Sequence, residues 1–346
     1  MKVLITGGAG FIGCNAAARA LERGDEVAVL DDLSRRGSEL NLEWLKTLGS
    51  FAFLPVDVRD YKEVRAVFAG GRFDVVLHLA AQVAVTTSVA DPRTDFEINA
   101  LGTFNLLEAA RESGHRGALI FSSTNKVYGN LDDMPVEPAE TRYRFAGSRT
   151  AVSEAQPLDF HSPYGCSKGA ADQYVRDYAR MYGLKTVVMR QSCIYGPRQF
   201  GIEDQGWVAW FIIALLTGRR ITVFGDGRQV RDVLFMDDLL DSFDAAVRRI
   251  DRCAGKMFNV GGGPGNTVSL REFLKILEEL SGRSVPVSSS DWRPGDQKIY
   301  VSDIARARDE LDWAPRVGVR EGVARLYRWV EENLESIRGV LDSRDR

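Results

Sequence analysis

The chain has 346 residues, of which 45% are hydrophobic and 27% are charged, so it can bury a sizeable core and is neither disordered nor fibrous. Its 45 basic and 48 acidic side chains leave a formal net charge of −3, which argues against nucleic acid as a partner. The longest apolar run, residues 207–216, is about half of the ~20 residues that span a bilayer, so we expect no membrane partner.

The cysteines and histidines exclude two further classes of protein. The four cysteines lie far apart without a CxxC pair, and the three histidines lack the spacing of metal ligands. We therefore expect neither a disulfide framework nor a metal site, and a cytoplasmic location, where thiols stay reduced. The chain begins directly with a strand-like run, so we also expect no signal peptide.

Apolar, strand-like runs alternate with helix-length amphipathic segments through the first half of the chain. The runs cover residues 2–6, 26–30, 52–55, 75–79, 118–122 and 186–191. Strands that are apolar on both faces, with helices between them, are typical of a parallel sheet covered on two sides. The sequence therefore predicts a doubly wound α/β fold of the Rossmann type.

The pattern changes after about residue 195. Helices are predicted near residues 205–217 and 269–281, with short strands near 221–224 and 257–261. We assign residues 1–195 to a dinucleotide-binding domain, to which residues 233–262 return. Residues 196–232 and 263–335 form a smaller α/β substrate domain, and residues 336–346 form a tail. The loop over residues 130–162 lacks periodicity, and a loop of that length is more often functional than idle.

A glycine-rich string, GGAGFIG at residues 7–13, directly follows the first strand and opens a helix. Glycines permit the tight turn and let the backbone approach a pyrophosphate, while the helix start offers free N–H groups. The strand–turn–helix context makes this a strong indication of a dinucleotide site. A glycine-rich turn without a ligand is the alternative.

The second strand ends at Asp31, where a carboxylate accepts hydrogen bonds from both hydroxyls of an adenosine ribose. It would repel a 2′-phosphate by ~4 kcal/mol for each unit charge at ~4 Å and an effective dielectric of ~20. NAD is therefore favoured over NADP, although Arg35 and Arg36 follow closely and would offset the repulsion. Asp57, after the third strand, is placed to flank the adenine or to cap a turn.

Tyr164 and Lys168 are spaced i, i+4 and share one face of a helix. We expect the ammonium group and a positively charged nicotinamide to lower the pKa of the phenol, so that the phenolate removes a hydroxyl proton while hydride leaves the carbon. Thr124 ends the strand that runs over residues 120–124 and is placed to reach the reacting oxygen. A local backbone hydrogen bond is the alternative role for this threonine.

Together, the glycine string, Asp31, Asp57, Thr124 and the Tyr164–Lys168 pair resemble the extended short-chain dehydrogenase/reductases that act on nucleotide sugars. The resemblance continues through RDVLFMDD at residues 231–238 and RPGD at residues 293–296. It implies the cofactor-binding residues Gly7, Gly10, Phe11, Ile12, Gly13, Asp31, Ser34, Arg35, Asp57, Val58, Leu79, Ala80, Ala81, Asn99, Tyr164 and Lys168. It implies the substrate residues Gln82, Thr124, Asn125, Gln205, Val223, Arg231, Arg293 and Asp296, with both arginines on the diphosphate.

The two residues after Thr124 limit which reactions the chain is expected to catalyse. Sugar 4,6-dehydratases of this superfamily carry Asp-Glu there as acid and base, whereas this chain has Asn125 and Lys126. An amide cannot act as that acid, so dehydration is disfavoured. The strings at residues 160–174 and 204–208 are similar to the CDP-paratose 2-epimerases. Cys193 stands where many 4-epimerases have an asparagine that contacts the diphosphate, which weakens a 4-epimerase interpretation.

This resemblance implies an isomerase that oxidises C2 of a CDP-linked 3,6-dideoxyhexose with tightly bound NAD and reduces the 2-keto sugar on its other face. The neighbouring C3 has no hydroxyl and C1 is an acetal, so direct oxidation at C2 is the available route. The alternatives are a UDP-hexose 4-epimerase or another nucleotide-sugar epimerase or reductase, and a dinucleotide-sensing regulator without turnover. A homodimer or homotetramer is implied, with residues 101–111 and the helix starting near Ser167 as candidate faces.

Overall fold

In the computed structural model, residues 1–293 and 296–342 are described, and they alternate strands and helices. The strands are β1 (Lys2–Thr6), β2 (Glu26–Leu30), β3 (Ala52–Leu54), β4 (Val75–His78), β5 (Ala118–Thr124), β6 (Val136–Pro138), β7 (Tyr143–Phe145), β8 (Lys185–Gln191), β9 (Cys193–Tyr195), β10 (Ile221–Phe224), β11 (Val230–Phe235), β12 (Met257–Val260), β13 (Thr267–Ser269), β14 (Val287–Ser290) and β15 (Ile299–Tyr300). The helices are α1 (Phe11–Glu22), α2 (Ser38–Leu48), α3 (Tyr61–Gly70), α4 (Val85–Ala90), α5 (Pro92–Phe96), α6 (Gly102–Glu112), α7 (Ser162–Tyr182), α8 (Trp207–Thr217), α9 (Met236–Arg248), α10 (Ile250–Cys253), α11 (Leu270–Ser281), α12 (Ala305–Leu311), α13 (Val319–Glu332) and α14 (Leu334–Asp342).

Seven strands form one parallel sheet in the order β12-β8-β5-β4-β1-β2-β3. From the neighbouring strands β1 and β4 the sheet continues in opposite directions, with β2 and β3 beyond β1 and with β5, β8 and β12 beyond β4. Ligands of such sheets bind beyond the carboxyl ends of the strands at this switch point. The predicted doubly wound α/β fold of the Rossmann type is confirmed.

Helices cover both faces of this sheet, which is why its strands are continuous apolar runs. Side chains alternate between the faces along β1: Val3 and Ile5 join a core with α1 and α9, whereas Leu4 joins a core with α3, α6 and α7. Strand β5 continues past the apolar run at residues 118–122 because its pairing with β8 continues to Thr124 opposite Gln191. This extension carries Thr124 to the carboxyl edge of the sheet.

A third core lies among α8, α11 and α13, with Phe211, Phe273 and Leu326 fully or almost fully buried. Smaller sheets accompany it: β10 pairs with β14, and β11 pairs with β9, β13 and β15. Strand β12 adds to the edge of the seven-stranded sheet beside β8. The division into two domains at the boundaries given above stays a prediction.

Two local features differ from the expectations. The loop over residues 130–162 contains an antiparallel hairpin of β6 and β7, whose three-residue strands are too short to show periodicity. Residues 336–342 belong to α14 and not to a tail, because Ile337 and Leu341 are buried in the third core. Within residues 1–293 and 296–342, no helix has both the length and the apolarity required to cross a membrane.

Candidate active site

The glycine-rich string at residues 7–13 forms the turn between β1 and α1. Gly7 has a φ of +67°, and a Cβ on it would lie 2.7 Å from the backbone nitrogen of Ala80. A Cβ on Gly13 would lie 2.1 Å from the carbonyl oxygen of Gly7. Larger residues are therefore excluded at both positions. Helix α1 begins at Phe11 without a side-chain cap, so its first N–H groups are available to an anion.

This turn borders a cavity of about 170 Å³ at the carboxyl edge of the sheet. Thirteen of the residues predicted to bind the cofactor line it: Gly7, Gly10, Phe11, Ile12, Gly13, Asp31, Ser34, Arg35, Asp57, Val58, Leu79, Ala80 and Ala81. The sequence had not indicated Arg198 or Phe200, which also line this cavity. These two residues follow β9 and reach the cavity only through the fold.

The Asp31 carboxylate is buried at the wall of this cavity. Its two oxygens accept hydrogen bonds from the backbone N–H groups of Ala9 (2.9 Å) and Leu33 (2.8 Å). Burial raises the pKa of Asp31 in spite of these bonds. Each carboxylate oxygen has two lone pairs, so both oxygens can accept a further bond from a ribose hydroxyl.

Arg35 and Asp57 are both engaged at the rim. The Arg35 guanidinium donates to the side-chain oxygen of Gln205, and this bond connects the loop after β2 with the segment before α8. It is not paired with Asp31. Asp57 accepts from the Arg59 guanidinium over 2.6–3.1 Å. At this rim, neither Arg35 nor Arg59 forms an ion pair with Asp31 near the position of a 2′-phosphate.

A second cavity, of about 240 Å³, contains the predicted catalytic residues Thr124, Tyr164 and Lys168. Gln205 lines this cavity as well as the first, and the two cavities also share Phe11 and Ile12. Tyr164 and Lys168 lie one turn apart on α7, whereas Thr124 arrives from the end of β5. The fold therefore brings the catalytic candidates to the inner end of the dinucleotide cavity.

Burial dominates the protonation of this trio. It raises the pKa of Tyr164 to about 12, although a hydrogen bond with Thr124 lowers it. It also lowers the pKa of Lys168 to about 7, against the opposing charges of Asp172 and Asp95. In the polypeptide alone the phenol is not acidic, and the expectation of an acidic phenol, which included the charge of a nicotinamide, stays a prediction. Desolvation penalises the charged form of both groups, so the tyrosine is held neutral.

Lys168 is oriented by the sheet and not by the phenol. Its ammonium group donates to the carbonyl of Ser122 over 2.6 Å and lies 4.2 Å from the centre of the Phe121 ring. Both contacts favour a cation. The lysine is thus held against β5 on the floor of the second cavity.

A buried carboxylate, Asp95, connects α7, the helix that carries Tyr164 and Lys168, with other segments of the chain. It accepts hydrogen bonds from Ser167 (2.5 Å), Gln82 (2.9 Å) and Asn99 (3.1 Å). Asn99 lies in a single π-helical turn and does not line either cavity, so the structure gives it a supporting position. Gln82 likewise donates to Asp95 and to the Ala84 carbonyl and lines neither cavity, and its place between cofactor and sugar stays a prediction.

A second buried network has no counterpart among the residues that the sequence indicated. Asp172 lies one turn after Lys168 on α7 and forms two bonds of 2.9 Å with the Arg190 guanidinium of β8. Their side chains are 0% and 1% exposed. Asp172 also accepts from the Ser123 hydroxyl over 2.8 Å, next to Thr124. A charged residue directly after the apolar run at residues 187–189 of β8 was the signal available in the sequence.

Gln205 lines both cavities, whereas the other predicted substrate residues of the second half line neither. Arg231 on β11 pairs with Asp296 over 2.5 Å, and Arg293 pairs with Asp204 over 3.1 Å while lying 3.8 Å from the Phe224 ring centre. Val223 is buried in β10 and Asn125 is buried after β5, and neither lines a cavity described above. Residues 294 and 295 of the predicted RPGD motif lie outside the described residues.

Cys193 lines the second cavity. Burial raises the pKa of its thiol, while the charge of Arg231 and a hydrogen bond from Trp207 oppose this. The cavity wall is therefore neutral at Cys193. Neither its position nor its role could be derived from spacing in the sequence.

The fold and the glycine-lined cavity define a dinucleotide-dependent enzyme, and the family comparison agrees. Residues 3–261 match the model of the NAD dependent epimerase/dehydratase family. The chain therefore belongs to the NAD-dependent epimerase/dehydratase family.

Within the family, the chain is 45% identical to a CDP-paratose 2-epimerase of Salmonella typhi, over 95% of this chain and 99% of that enzyme. It is 36% identical to a UDP-glucose 4-epimerase of Mycolicibacterium smegmatis, over 94% of this chain and 97% of the relative. A solved UDP-glucose 4-epimerase of Thermotoga maritima with UDP-glucose aligns with a TM-score of 0.84 and 32% identity, over 96% and 100% of the two chains.

NAD is the cofactor of this family, and the residues present fit it. The Gly7 and Gly13 positions leave room for a ligand where a Cβ would clash. Asp31 faces the same cavity with lone pairs suited to ribose hydroxyls, and the start of α1 is suited to a pyrophosphate. Which individual residues bind NAD stays a prediction.

Proposed function

We propose that this protein inverts C2 of a CDP-linked 3,6-dideoxyhexose, converting CDP-paratose to CDP-tyvelose. The observation that carries the proposal is its 45% identity to a CDP-paratose 2-epimerase across 95% of the chain. A catalytic trio adjoining a dinucleotide cavity supports it. When bound, NAD supplies the acceptor that takes a hydride from the sugar and returns it.

In this mechanism Tyr164 takes the proton of the C2 hydroxyl and later returns it. Thr124 hydrogen-bonds the phenol in the structure, and with substrate bound its single hydroxyl proton would be donated to the reacting oxygen instead. A phenol with a pKa of about 12 loses its proton at neutral pH only at a cost of about 7 kcal/mol, so positive charge must lie near it during the reaction. Lys168 is the protein's own source of that charge. The 2-keto sugar then presents its other face within the same cavity.

Two assays test this proposal. The purified protein is incubated with CDP-paratose and the ring protons are followed by NMR, with Tyr164→Phe as the inactive control. Substrate deuterated at C2 should keep its deuterium in the product, because hydride moves within the site. Deuterium loss to solvent would exclude direct oxidation at C2. Activity retained by Tyr164→Phe would exclude its role as base.

A UDP-hexose 4-epimerase is the second candidate, supported by the 36% identical relative. The same protein is assayed with UDP-glucose under matched conditions. Conversion of UDP-glucose with no turnover of CDP-paratose would replace the first proposal with the second. Binding of NAD with turnover of neither sugar would favour a dinucleotide-sensing regulator.

We also propose that the protein is a homodimer or homotetramer formed through α6 and α7. These helices expose neighbouring aromatic side chains, with Phe104 36%, Tyr174 48% and Tyr182 50% exposed. Clustered apolar exposure of this kind marks interaction sites. Light scattering should show an oligomer that Tyr174→Asp dissociates. An unaltered oligomer in that variant would place the interface elsewhere.

A reducing compartment, the cytoplasm, is the location we propose. The four cysteines are all free thiols in the structure, and Cys14 and Cys253 are buried in the core of the parallel sheet. Fractionation of cells that express a tagged protein tests this location.

A further inference from the structure

Gln191 is the last residue of β8 and the neighbour of Thr124 in the parallel sheet. The two residues are register partners on adjacent strands, which lie about 4.8 Å apart in such sheets. Both residues line the second cavity, together with Tyr164 and Lys168. The sequence had not indicated Gln191, and the mechanism above does not use it.

The amide of Gln191 is buried without a full set of partners. The residue is 6% exposed, and its amide nitrogen has no hydrogen-bond partner among residues 1–293 and 296–342. Leaving a buried donor unpaired is destabilising, which is why nearly all such groups in folded proteins are paired. The terminal torsion of glutamine is broad and two-fold, so this nitrogen can turn toward the cavity that the side chain borders.

Gln199 provides a comparison within the same cavity. It is 4% exposed, and its amide nitrogen donates to the carbonyl of Ile194 over 3.3 Å. The protein therefore supplies its own partner for the Gln199 nitrogen. Gln191 instead offers its nitrogen as a donor beside Thr124, so we expect the partner of that donor to be a ligand of the cavity.

The chemistry of the sugar indicates which of its groups this donor reaches. In the mechanism above, Thr124 and Tyr164 hold the reacting hydroxyl at C2. Gln191 approaches from the next strand, so it reaches a different oxygen of the same ring. In a 3,6-dideoxyhexose, C4 carries the one other free hydroxyl. A hydroxyl pairs with either end of an amide, whereas the acetal oxygens of the sugar only accept.

We propose that Gln191 is a specificity-determining residue whose amide binds the C4 hydroxyl of the sugar while C2 faces Thr124 and Tyr164. This inference rests on the proposed function for the identity of the sugar. A site that pairs a buried amide with a substrate hydroxyl rejects the analogue without that hydroxyl, because the amide is then left unpaired. The role of Gln191 is therefore measurable as discrimination at C4.

The test compares CDP-paratose with its 4-deoxy analogue, a CDP-linked 3,4,6-trideoxyhexose, on the NAD-loaded protein. NMR of the ring protons gives kcat/KM for inversion at C2, and titration calorimetry gives the affinities. Wild type should prefer CDP-paratose ~10-fold or more. Gln191→Met removes the amide at nearly unchanged length, so its preference should fall to ~2-fold or less.

Two controls assign the effect to the sugar. Gln199→Met makes the same change in another buried amide of this cavity, and it should keep the wild-type preference between the two sugars whatever its rate. CDP carries no sugar, so it should bind wild type and Gln191→Met equally.

Thermal unfolding separates binding from a structural role. Without substrate, Gln191→Met should keep or raise the Tm, because a buried donor without a partner is removed. An amide that only supported the fold would lower the Tm when replaced, and CDP affinity would then fall together with the affinity for both sugars.

The outcomes distinguish this inference from the proposed function. C2 inversion with equal C4 preference in wild type and Gln191→Met would overturn the inference and retain the 2-epimerase. Faster NAD release from Gln191→Met with that equal preference would also overturn it and assign the amide to the cofactor. Binding of CDP-paratose without inversion, with the difference in C4 preference still present in the affinities, would retain the inference and reject the 2-epimerase. No binding of CDP-paratose would overturn both.

Discussion

Replacing Asp172 with asparagine tests how the buried network supports the catalytic helix. The substitution removes one charge from a pair whose side chains are 0% and 1% exposed. The Arg190 guanidinium then keeps its 3.1 Å bond to the Tyr128 hydroxyl but loses its counterion. Breaking a buried ion pair by removing one partner costs about 3–5 kcal/mol, since the remaining charge stays desolvated.

The matched control removes both charges, with Asp172→Leu and Arg190→Met together. Replacement of a buried pair by apolar residues is often neutral, and the hydroxyls of Ser123 and Tyr128 then lose one partner each, at about 1 kcal/mol apiece. We therefore expect the double variant to be at least about 1 kcal/mol more stable than Asp172→Asn.

Urea unfolding with saturating NAD measures this difference. A loss of 3–5 kcal/mol should move the midpoint of Asp172→Asn down by about 1 M or more, for a slope of about 3 kcal/mol/M. Equal midpoints for the single and double variants would refute the reasoning, because the destabilisation would then not come from an unpaired buried charge.

The same substitution should also change catalysis through Lys168. Burial lowers the pKa of Lys168, and the charge of Asp172 opposes that effect. Without the carboxylate the pKa falls further, so the alkaline limb of the kcat profile should move to lower pH. A folded variant with an unshifted alkaline limb would show that Asp172 does not set the charge of Lys168.

Three further predictions concern catalysis, acid stability and cofactor retention. Lys168→Met should lower kcat by about 10²–10⁴-fold while CDP affinity stays near wild type, and equal kcat would remove Lys168 from the mechanism. Burial opposes ionisation of Glu272, but hydrogen bonds, first among them that of Arg142, lower its pKa to about 2. The ionised carboxylate therefore adds up to ~3 kcal/mol of stability at pH values above its unfolded pKa of about 4.3. That stability is lost as pH falls from about 4.3 through 2, and Glu272→Gln should flatten the acid unfolding curve over this window, a result checked by circular dichroism. Gln205→Ala removes the partner of Arg35 and should release NAD about 10-fold faster in a trapping assay, whereas an unchanged rate would show that this bond does not retain the cofactor.

Local sequence patterns were sufficient to predict the residues of the dinucleotide turn and of the candidate catalytic trio. The string at residues 7–13 needs no distant contact to be interpreted, because glycine's freedom of φ and the helix start are local properties. Tyr164 and Lys168 share a face through helical spacing alone. The carboxyl ends of parallel strands meet at one edge, so strand order along the chain suffices to place Asp31 and Thr124 near them.

The buried residues that support the candidate catalytic residues could not be predicted from local sequence patterns. Asp95 reaches Ser167 across 72 positions of sequence, and Asp172 reaches Arg190 from another element. Gln82 follows its strand as predicted, and its amide donates to Asp95. Side-chain direction depends on which partners the fold supplies, and these partners have no fixed sequence spacing.

The sequence by itself determined the fold class and predicted the dinucleotide turn and the candidate catalytic trio, because strand alternation, glycine placement and helical periodicity are short-range properties. Only the tertiary structure decided the charge states, since desolvation depends on everything packed around a group. It holds Tyr164 neutral and lowers the pKa of Lys168. A chain can encode which groups react through its local pattern, whereas their acidity is a property of the assembled interior.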